Sequence, residues 1–363
     1  MKKVLALLLL LCLIMTACGA RSDAPSAPAE PPRAETAEPT AQPAAPTVQP
    51  TVQPTEQPDA QAEVRLGILA GPTGMGSAKL LQDAEEGKTA NRYSYTLFSA
   101  PDQVTAKLIA GELDIAAVPT NLAAVLYQKT KGGVQLLALN TLGVLHLVTA
   151  EGESVASVED LKGRTVYSSG QAAVPEYVLD YILDSYGLKD QVTVVYEAEH
   201  DAVIAALASG KAKIAVLPEP KVTAALAQVQ GLSKALDLTV EWEKAAEKNG
   251  AGDSTLAMGC MVVRTDFARE NKAAVDAFLP EYKASVEYMR DGANADGAAA
   301  LCERFGIIPK AAVAKKALPG SNLFFAEGAE MKARITPFYE ILFGFAPASV
   351  GGALPDDAFY YAG

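Results

Sequence analysis

The residues of this chain best suited to recognising a small molecule sit in short polar loops, each at the end of an apolar run of strand length. Gly71-Pro72-Thr73-Gly74-Met75-Gly76-Ser77 separates the strand Val64–Ala70 from the helical pattern AKLLQDAEEG. A loop of this composition leaves backbone N–H groups at the positive end of a helix, which suits a carboxylate, sulfonate, phosphate or ring carbonyl. It lacks the Gly-Lys-Ser/Thr of a nucleotide-phosphate loop and the spaced glycines of a dinucleotide site. Ser168-Ser169-Gly170-Gln171 is a second such loop, and Thr120-Asn121, Asn140 and Glu219 stand at further strand ends. Thr73, Gly74, Met75, Thr120, Asn121, Asn140, Ser168, Ser169, Gln171 and Glu219 therefore make the candidate ligand-binding set. It is rich in neutral hydrogen-bonding groups, with one carboxylate and no Arg or Lys. Such a set fits a neutral or zwitterionic solute, for instance a heterocycle or an aminosulfonate.

Each of these residues also has a structural use. The glycines of 71–77 permit a tight turn under a packed helix, Thr120 or Asn121 can cap the following helix, and Glu219 suits the positive end of a helix opened by Pro220. The chemistry that is missing narrows the choice further. The chain has two histidines, His146 and His200, and neither sits in a cluster with metal-ligand spacing. There is no Gly-x-Ser-x-Gly elbow and no acidic pair spaced for hydrolysis, so no catalytic residue, cofactor or metal is expected. His146, in an apolar run, reads as a buried structural residue. Trp242, alone at an acidic helix start, reads as packing. Cys260 and Cys302 could pair in an oxidising compartment or remain core thiols.

The elements that position these loops occur twice. Leu108–Asn121, LIAGELDIAAVPTN, is echoed ninety-nine residues on by Leu207–Pro220, LASGKAKIAVLPEP. Leu108, Gly111, Ile115, Ala116 and Pro119 match Leu207, Gly210, Ile214, Ala215 and Pro218. Each copy predicts a helix stopped by Gly, a buried parallel strand, a loop after Pro, and another helix. In open α/β sheets ligands sit beyond the carboxyl ends of the strands, where these loops lie. Two lobes sharing one ligand follow from that arrangement.

The first eighteen residues stand apart. Lys2 and Lys3 precede Val4–Met15, an apolar run too short to span a bilayer, and the run closes on Met15-Thr16-Ala17-Cys18-Gly19. This resembles a bacterial lipobox in which Cys18 is acylated, and two acyl chains suffice for stable anchoring. Ten of the 22 prolines fall within 21–60. Residues 19–62 cannot bury enough apolar surface to fold and read as a disordered tether. Its reach is on the order of 130 Å at about 3.1 Å per residue. Loss of Lys2 and Lys3 takes the net charge from −12 to −14. An acidic head argues against nucleic acid and against lying on anionic lipid.

Tyr93–Ser99, Val134–Leu139, Arg164–Tyr167 and Val192–Tyr196 read as further strands, and 142–149 and 256–264 as apolar runs crossing between lobes. The tail is expected to be helical throughout, over 266–290, 295–305, 310–317 and 327–345, and to pack outside the first lobe. With the lipobox, tether, paired lobes and two crossings, Val158–Val166 (VEDLKGRTV) completes a pattern that resembles the type II periplasmic-binding-protein fold. Its nearest group is the substrate-binding lipoproteins of ABC importers related to the nitrate, alkanesulfonate/taurine and thiamine-pyrimidine-precursor binders. The resemblance implies an α/β architecture of two doubly wound mixed sheets joined by two crossing strands. Lobe one would comprise 64–142 and 258–363, and lobe two 148–255. It also implies a monomeric, extracytoplasmic lipoprotein that hands a small solute, such as a sulfonate or nitrogen heterocycle, to an ABC permease. The alternatives are an enzyme on this fold acting on a small heterocycle through His200 or Glu219, and a sensing or adhesion lipoprotein.

Overall fold

The computed structural model describes residues 61–363 with the exception of Ala172 and Asp253. The leader, Cys18 and the tether up to residue 60 lie outside the described residues. In chain order β1 (Glu63–Leu69), α1 (Pro72–Met75), α2 (Ala78–Glu85), β2 (Arg92–Phe98), α3 (Pro101–Ile109), β3 (Ile115–Pro119), α4 (Thr120–Thr130) and β4 (Val134–Leu142) come first. β5 (Leu145–Thr149), β6 (Thr165–Ser169), α5 (Val174–Ser185), β7 (Thr193–Glu197), α6 (His200–Ala208), β8 (Ile214–Pro218), α7 (Lys221–Gln228), β9 (Ser233–Asp237) and α8 (Leu238–Lys248) follow. The remainder is β10 (Ala257–Arg264), α9 (Thr265–Glu270), α10 (Lys272–Arg290), α11 (Ala295–Arg304), α12 (Ala311–Ala317), β11 (Leu323–Glu327) and α13 (Gly328–Phe345).

Two mixed sheets result. The first has the order β11-β4-β10-β3-β1-β2 and the second β7-β6-β8-β5-β9. β1 runs parallel to β2 and β3, and β10 lies antiparallel between β3 and β4. In the second sheet β6 is parallel to β7 and β8, while β5 is antiparallel to β8 and β9. Only Gly143 and Val144 separate β4 in one sheet from β5 in the other. The second passage lies between the end of α8 and β10.

The repeated stretch accounts for both sheet interiors. Gly111 and Gly210 stop the preceding helices at φ 74 and 75, a conformation that costs a residue with a Cβ. Both strands are buried on both faces and alternate between them. Ile115 and Ala117 face one apolar layer and Ala116 and Val118 another. Ile214 and Val216 likewise oppose Ala215 and Leu217.

Four expectations need correction. The tail is not wholly helical: Leu323–Glu327 is a strand, β11, added antiparallel to β4, with Asn322 at φ 41 turning the chain into it. Its apolar run of four, Leu323 to Ala326, suits a short edge strand as well as a helix start. β9 is a second unforeseen strand, its Ser-Lys-Ala-Leu-Asp too polar to signal one. The helix expected over 266–290 breaks at Asn271 into α9 and α10. The tail also does not stay on the first sheet's flank. One apolar layer contains Val118, Leu139 and Val262 of the first sheet, Leu147, Val166 and Val216 of the second, and Phe338 and Leu342 of α13. Phe338 packs on the buried Trp242 of α8 with ring centroids 5.4 Å apart, and Phe345 reaches Tyr181 of α5. Cys260 and Cys302 are buried and free. Among the described residues no helix is long and apolar enough to cross a membrane.

Candidate ligand-binding cleft

The carboxyl ends of β1, β3 and β4 carry one set of candidates and those of β6 and β8 the other. After β1, Gly71 adopts φ 99 and the chain winds into the short turn α1, so 71–77 is a helical turn rather than an open loop. A Cβ on Gly74 would lie 2.0 Å from the Leu69 carbonyl oxygen, so only Gly fits there. Thr73 remains half-buried, while Met75 is fully enclosed with Ile68 in an apolar layer. Asn140, at the end of β4, donates from Nδ2 to the Thr73 carbonyl and to the Tyr282 hydroxyl, each at 3.0 Å. Its Oδ1 accepts from Thr141 Oγ1 at 3.0 Å. A Cβ on Gly259 would stand 2.6 Å from Asn140 Oδ1 and 2.8 Å from Thr73 Oγ1, so β10 leaves this polar corner its room.

Thr120 and Asn121 are used differently. Thr120 Oγ1 donates to the Ala257 carbonyl at 2.5 Å, and its own carbonyl accepts from Tyr339 at 2.8 Å. Asn121 Nδ2 donates to the Ser349 carbonyl at 3.4 Å. Neither side chain caps α4. Both tie the start of α4 to distant parts of the chain, Thr120 to β10 and Asn121 to the segment after α13.

On the second sheet, Ser168 and Ser169 end β6 and are buried, Gly170 turns at φ 79, and Gln171 is exposed just ahead of α5. Ser168 Oγ donates to the Ser169 carbonyl at 3.2 Å. Ser169 Oγ is hydrogen-bonded to Nδ1 of His200, the first residue of α6. Burial lowers the His200 pKa below its ordinary 6.5, and Lys221 adds to the effect. A neutral imidazole beside a hydroxyl can accept from Ser169 or donate toward an anion, according to tautomer. The sequence offered His200 only as an acid or base for an enzyme; its pairing with Ser169 depends on β6 and α6 being neighbours.

Glu219 follows β8 and is 2% exposed. Its Oε2 accepts from the Thr223 N–H at 3.1 Å and its Oε1 from Lys234 Nζ on β9 at 2.7 Å. The expectation of a carboxylate without a cation is therefore corrected by Lys234. The two sheets meet at this point: a Cβ on Gly320, just before β11, would lie 3.1 Å from Glu219 Oε1. Beside it, the Glu219 N–H donates to the Val144 carbonyl at 2.9 Å. The Asn322 side chain donates to the Gly143 carbonyl, and Leu142 N–H donates to the Asn322 carbonyl at 3.0 Å. The structure thus brings Thr73 to Asn140, Ser169 to His200, and Glu219 to the first sheet's edge. Among the described residues no group of three His, Cys, Asp or Glu could hold a metal ion.

The model for a family described as ABC transporter, phosphonate, periplasmic substrate-binding protein matches residues 86–284, more than half of the chain. Curated proteins give no match. Solved structures share the fold. An ABC transporter protein from Parabacteroides distasonis is 23% identical with TM-score 0.66, covering 83% of this chain and 99% of its own. The aliphatic sulphonate binding protein SsuA of Escherichia coli is 20% identical with TM-score 0.64, covering 83% and 92%. The alkanesulfonate-binding protein SsuA of Xanthomonas axonopodis pv. citri, bound to MOPS, is 16% identical with TM-score 0.56, covering 81% and 96%.

Proposed function

Since this chain belongs to the family of phosphonate periplasmic substrate-binding proteins of ABC transporters, we propose that its solute is a small organic oxyanion held between the two sheets. The chain is the substrate-binding component of an ABC transporter, with the two-lobed type II fold, and works with a membrane permease. The observation that carries the ligand reading is the cluster at the end of β6: two buried serines, a turning glycine and His200, next to the positive end of the twelve-residue α5. Neutral hydroxyls and backbone N–H groups can hold an oxyanion without a facing cation. Thr73, Gly74, Asn140, Ser168, Ser169 and Gln171 are the contacts of this reading, and Glu219, held by Lys234, stands beside them as a wall of the cleft. Met75, Thr120 and Asn121 serve the frame.

The lobe boundaries 64–142 with 258–363, and 148–255, belong to the same reading, as do a monomeric state and the absence of catalysis. So does anchoring, in which Cys18 carries the acyl chains and the tether lets the head range over the membrane surface. Ligand contacts made only in the closed state would bias the lobes toward closure and mark the loaded form for the permease. Phosphonate is preferred over sulfonate, the chemistry named for the two SsuA structures, because the family named for phosphonate matches this chain's own residues. A nitrogen heterocycle is the weaker alternative.

The test is a thermal-shift screen of methylphosphonate, ethylphosphonate, methanesulfonate, taurine, nitrate, phosphate and a thiamine precursor. A ligand at one hundred times its dissociation constant adds about 2.7 kcal/mol, a plain rise in midpoint. A phosphonate hit is expected. A hit confined to sulfonates or heterocycles would contradict the ligand class, and no hit from a folded protein would contradict small-solute capture.

A further inference from the structure

Glu219 sits at the centre of the proposed cleft, at the carboxyl end of an interior strand and against Gly320 of the opposite lobe. A buried carboxylate in that place would ordinarily select a solute carrying an ammonium group, since an unpaired buried charge demands a counter-ion. Here the counter-ion is already in place. Lys234 Nζ lies 2.7 Å from Oε1, and the Thr223 N–H holds Oε2 at 3.1 Å, so both oxygens are engaged from within lobe two. The Glu219 side chain is 1% exposed and that of Lys234 37%, so the lysine closes the carboxylate from the solvent side.

The placement of Lys234 depends on an irregularity in the β5–β9 pairing. Leu147 is opposite Leu236, yet Val148 is opposite Lys234 rather than Ala235. Val148 and Leu217 share an apolar layer on the α6–α7 side of the sheet, the side on which Lys234 meets Glu219. The other charged group here, Asp237, is spent on the first turn of α8, accepting from Thr239 N–H at 2.8 Å. His146, opposite Asp237 on β5, is pushed below its ordinary 6.5 by burial and then by Lys234, so it adds no charge at neutral pH.

We propose that Lys234 is a specificity-determining positioning residue: by neutralising Glu219 it removes the acceptor for a cationic group and restricts the cleft to oxyanions without an ammonium. The proposal rests on the oxyanion reading above and narrows it, displacing the zwitterion that the sequence favoured. Lys234 acts through Glu219 rather than on the solute.

The test is calorimetric titration of the full chain with methylphosphonate and with 2-aminoethylphosphonate, which differ by the ammonium arm. The wild-type protein is expected to bind methylphosphonate more tightly. Lys234→Gln is expected to shift the ratio of the two affinities by tenfold or more toward 2-aminoethylphosphonate. Lys234→Arg should keep the wild-type ratio, an effect a merely structural role would not produce. The double variant Glu219→Gln with Lys234→Gln leaves no buried charge and should return the ratio to the wild-type side, which covers the case of an unstable single variant. Wild-type preference for 2-aminoethylphosphonate, or an unchanged ratio in Lys234→Gln, would overturn the proposal. An equal tenfold loss for both ligands in Lys234→Gln would overturn it as well, by placing the ammonium on the oxyanion itself. Absence of binding by either compound to folded wild-type protein would overturn the oxyanion reading and this proposal with it.

Discussion

β3 and β8 occupy matching places, each an interior strand with one parallel and one antiparallel neighbour, yet their ends are built differently. Ahead of β3, Asp114 is buried and accepts from Arg65 Nε at 2.9 Å and Nη2 at 2.6 Å. The matching residue ahead of β8 is the exposed Lys213. Beyond β3, Thr120 donates to the Ala257 carbonyl and serves the frame. Its counterpart beyond β8 is Glu219, which faces the opposite lobe. A repeated βα unit thus keeps its apolar interior while its polar ends differ, Thr120 bonding within the frame and Glu219, in the proposed reading, lining the cleft. Burial on both strand faces constrains the interior, and the ends are free to differ.

The contrast can be broken at either end. Asp114→Ala leaves the Arg65 N–H and its half-exposed guanidinium without their acceptor and should cost about 1.5–3 kcal/mol, read as a lower midpoint in denaturant with little change in solute affinity. Thr120→Val strands the buried Ala257 carbonyl and should cost about 1–3 kcal/mol, again without moving affinity. Glu219→Gln should do the reverse. It leaves Lys234 a half-exposed cation, changes stability by about 1 kcal/mol or less, and strengthens methylphosphonate binding. Equal losses of stability and affinity in all three would erase the distinction between frame and cleft.

Both histidines lie in the second sheet's half, so acid should act there first. Burial lowers the pKa of His146 and of His200 from 6.5. Between each folded value and 6.5 the unfolded chain binds more protons, so this contribution is present above 6.5 and is lost as pH falls through the lowered values. Amide exchange between pH 7 and 5 should show β5–β8 losing protection before β1–β4, and His200→Asn should lessen the difference. Lys213→Ala should be the mildest change, within about 0.5 kcal/mol of wild type.

Much of this design was readable in the order of residues. The Gly stops at 111 and 210, the apolar runs between them and Pro119 or Pro218, and the alternation of helix and strand all express local rules, so two α/β lobes could be anticipated. What stayed hidden depends on register and on long-range packing. Ser-Lys-Ala-Leu-Asp carries no strand signal, and Leu323–Glu327 sits among helices. The Lys234–Glu219 pair follows from a one-residue shift opposite Val148. The reach of α13 to Trp242 could not be inferred from its own pattern either, because its amphipathic face is compatible with a partner in either lobe.

The central claim is that the Ser168-Ser169-Gly170 turn after β6 holds the oxyanion while Thr120, after β3, holds the frame. Calorimetric titration of methylphosphonate into Ser169→Ala and Thr120→Val tests it most directly. A hydrogen bond to a charged group is worth about 1.5–3 kcal/mol, so Ser169→Ala should weaken binding by about tenfold or more while Thr120→Val binds as wild type. Undiminished binding by Ser169→Ala, or a comparable loss in Thr120→Val, would contradict the account.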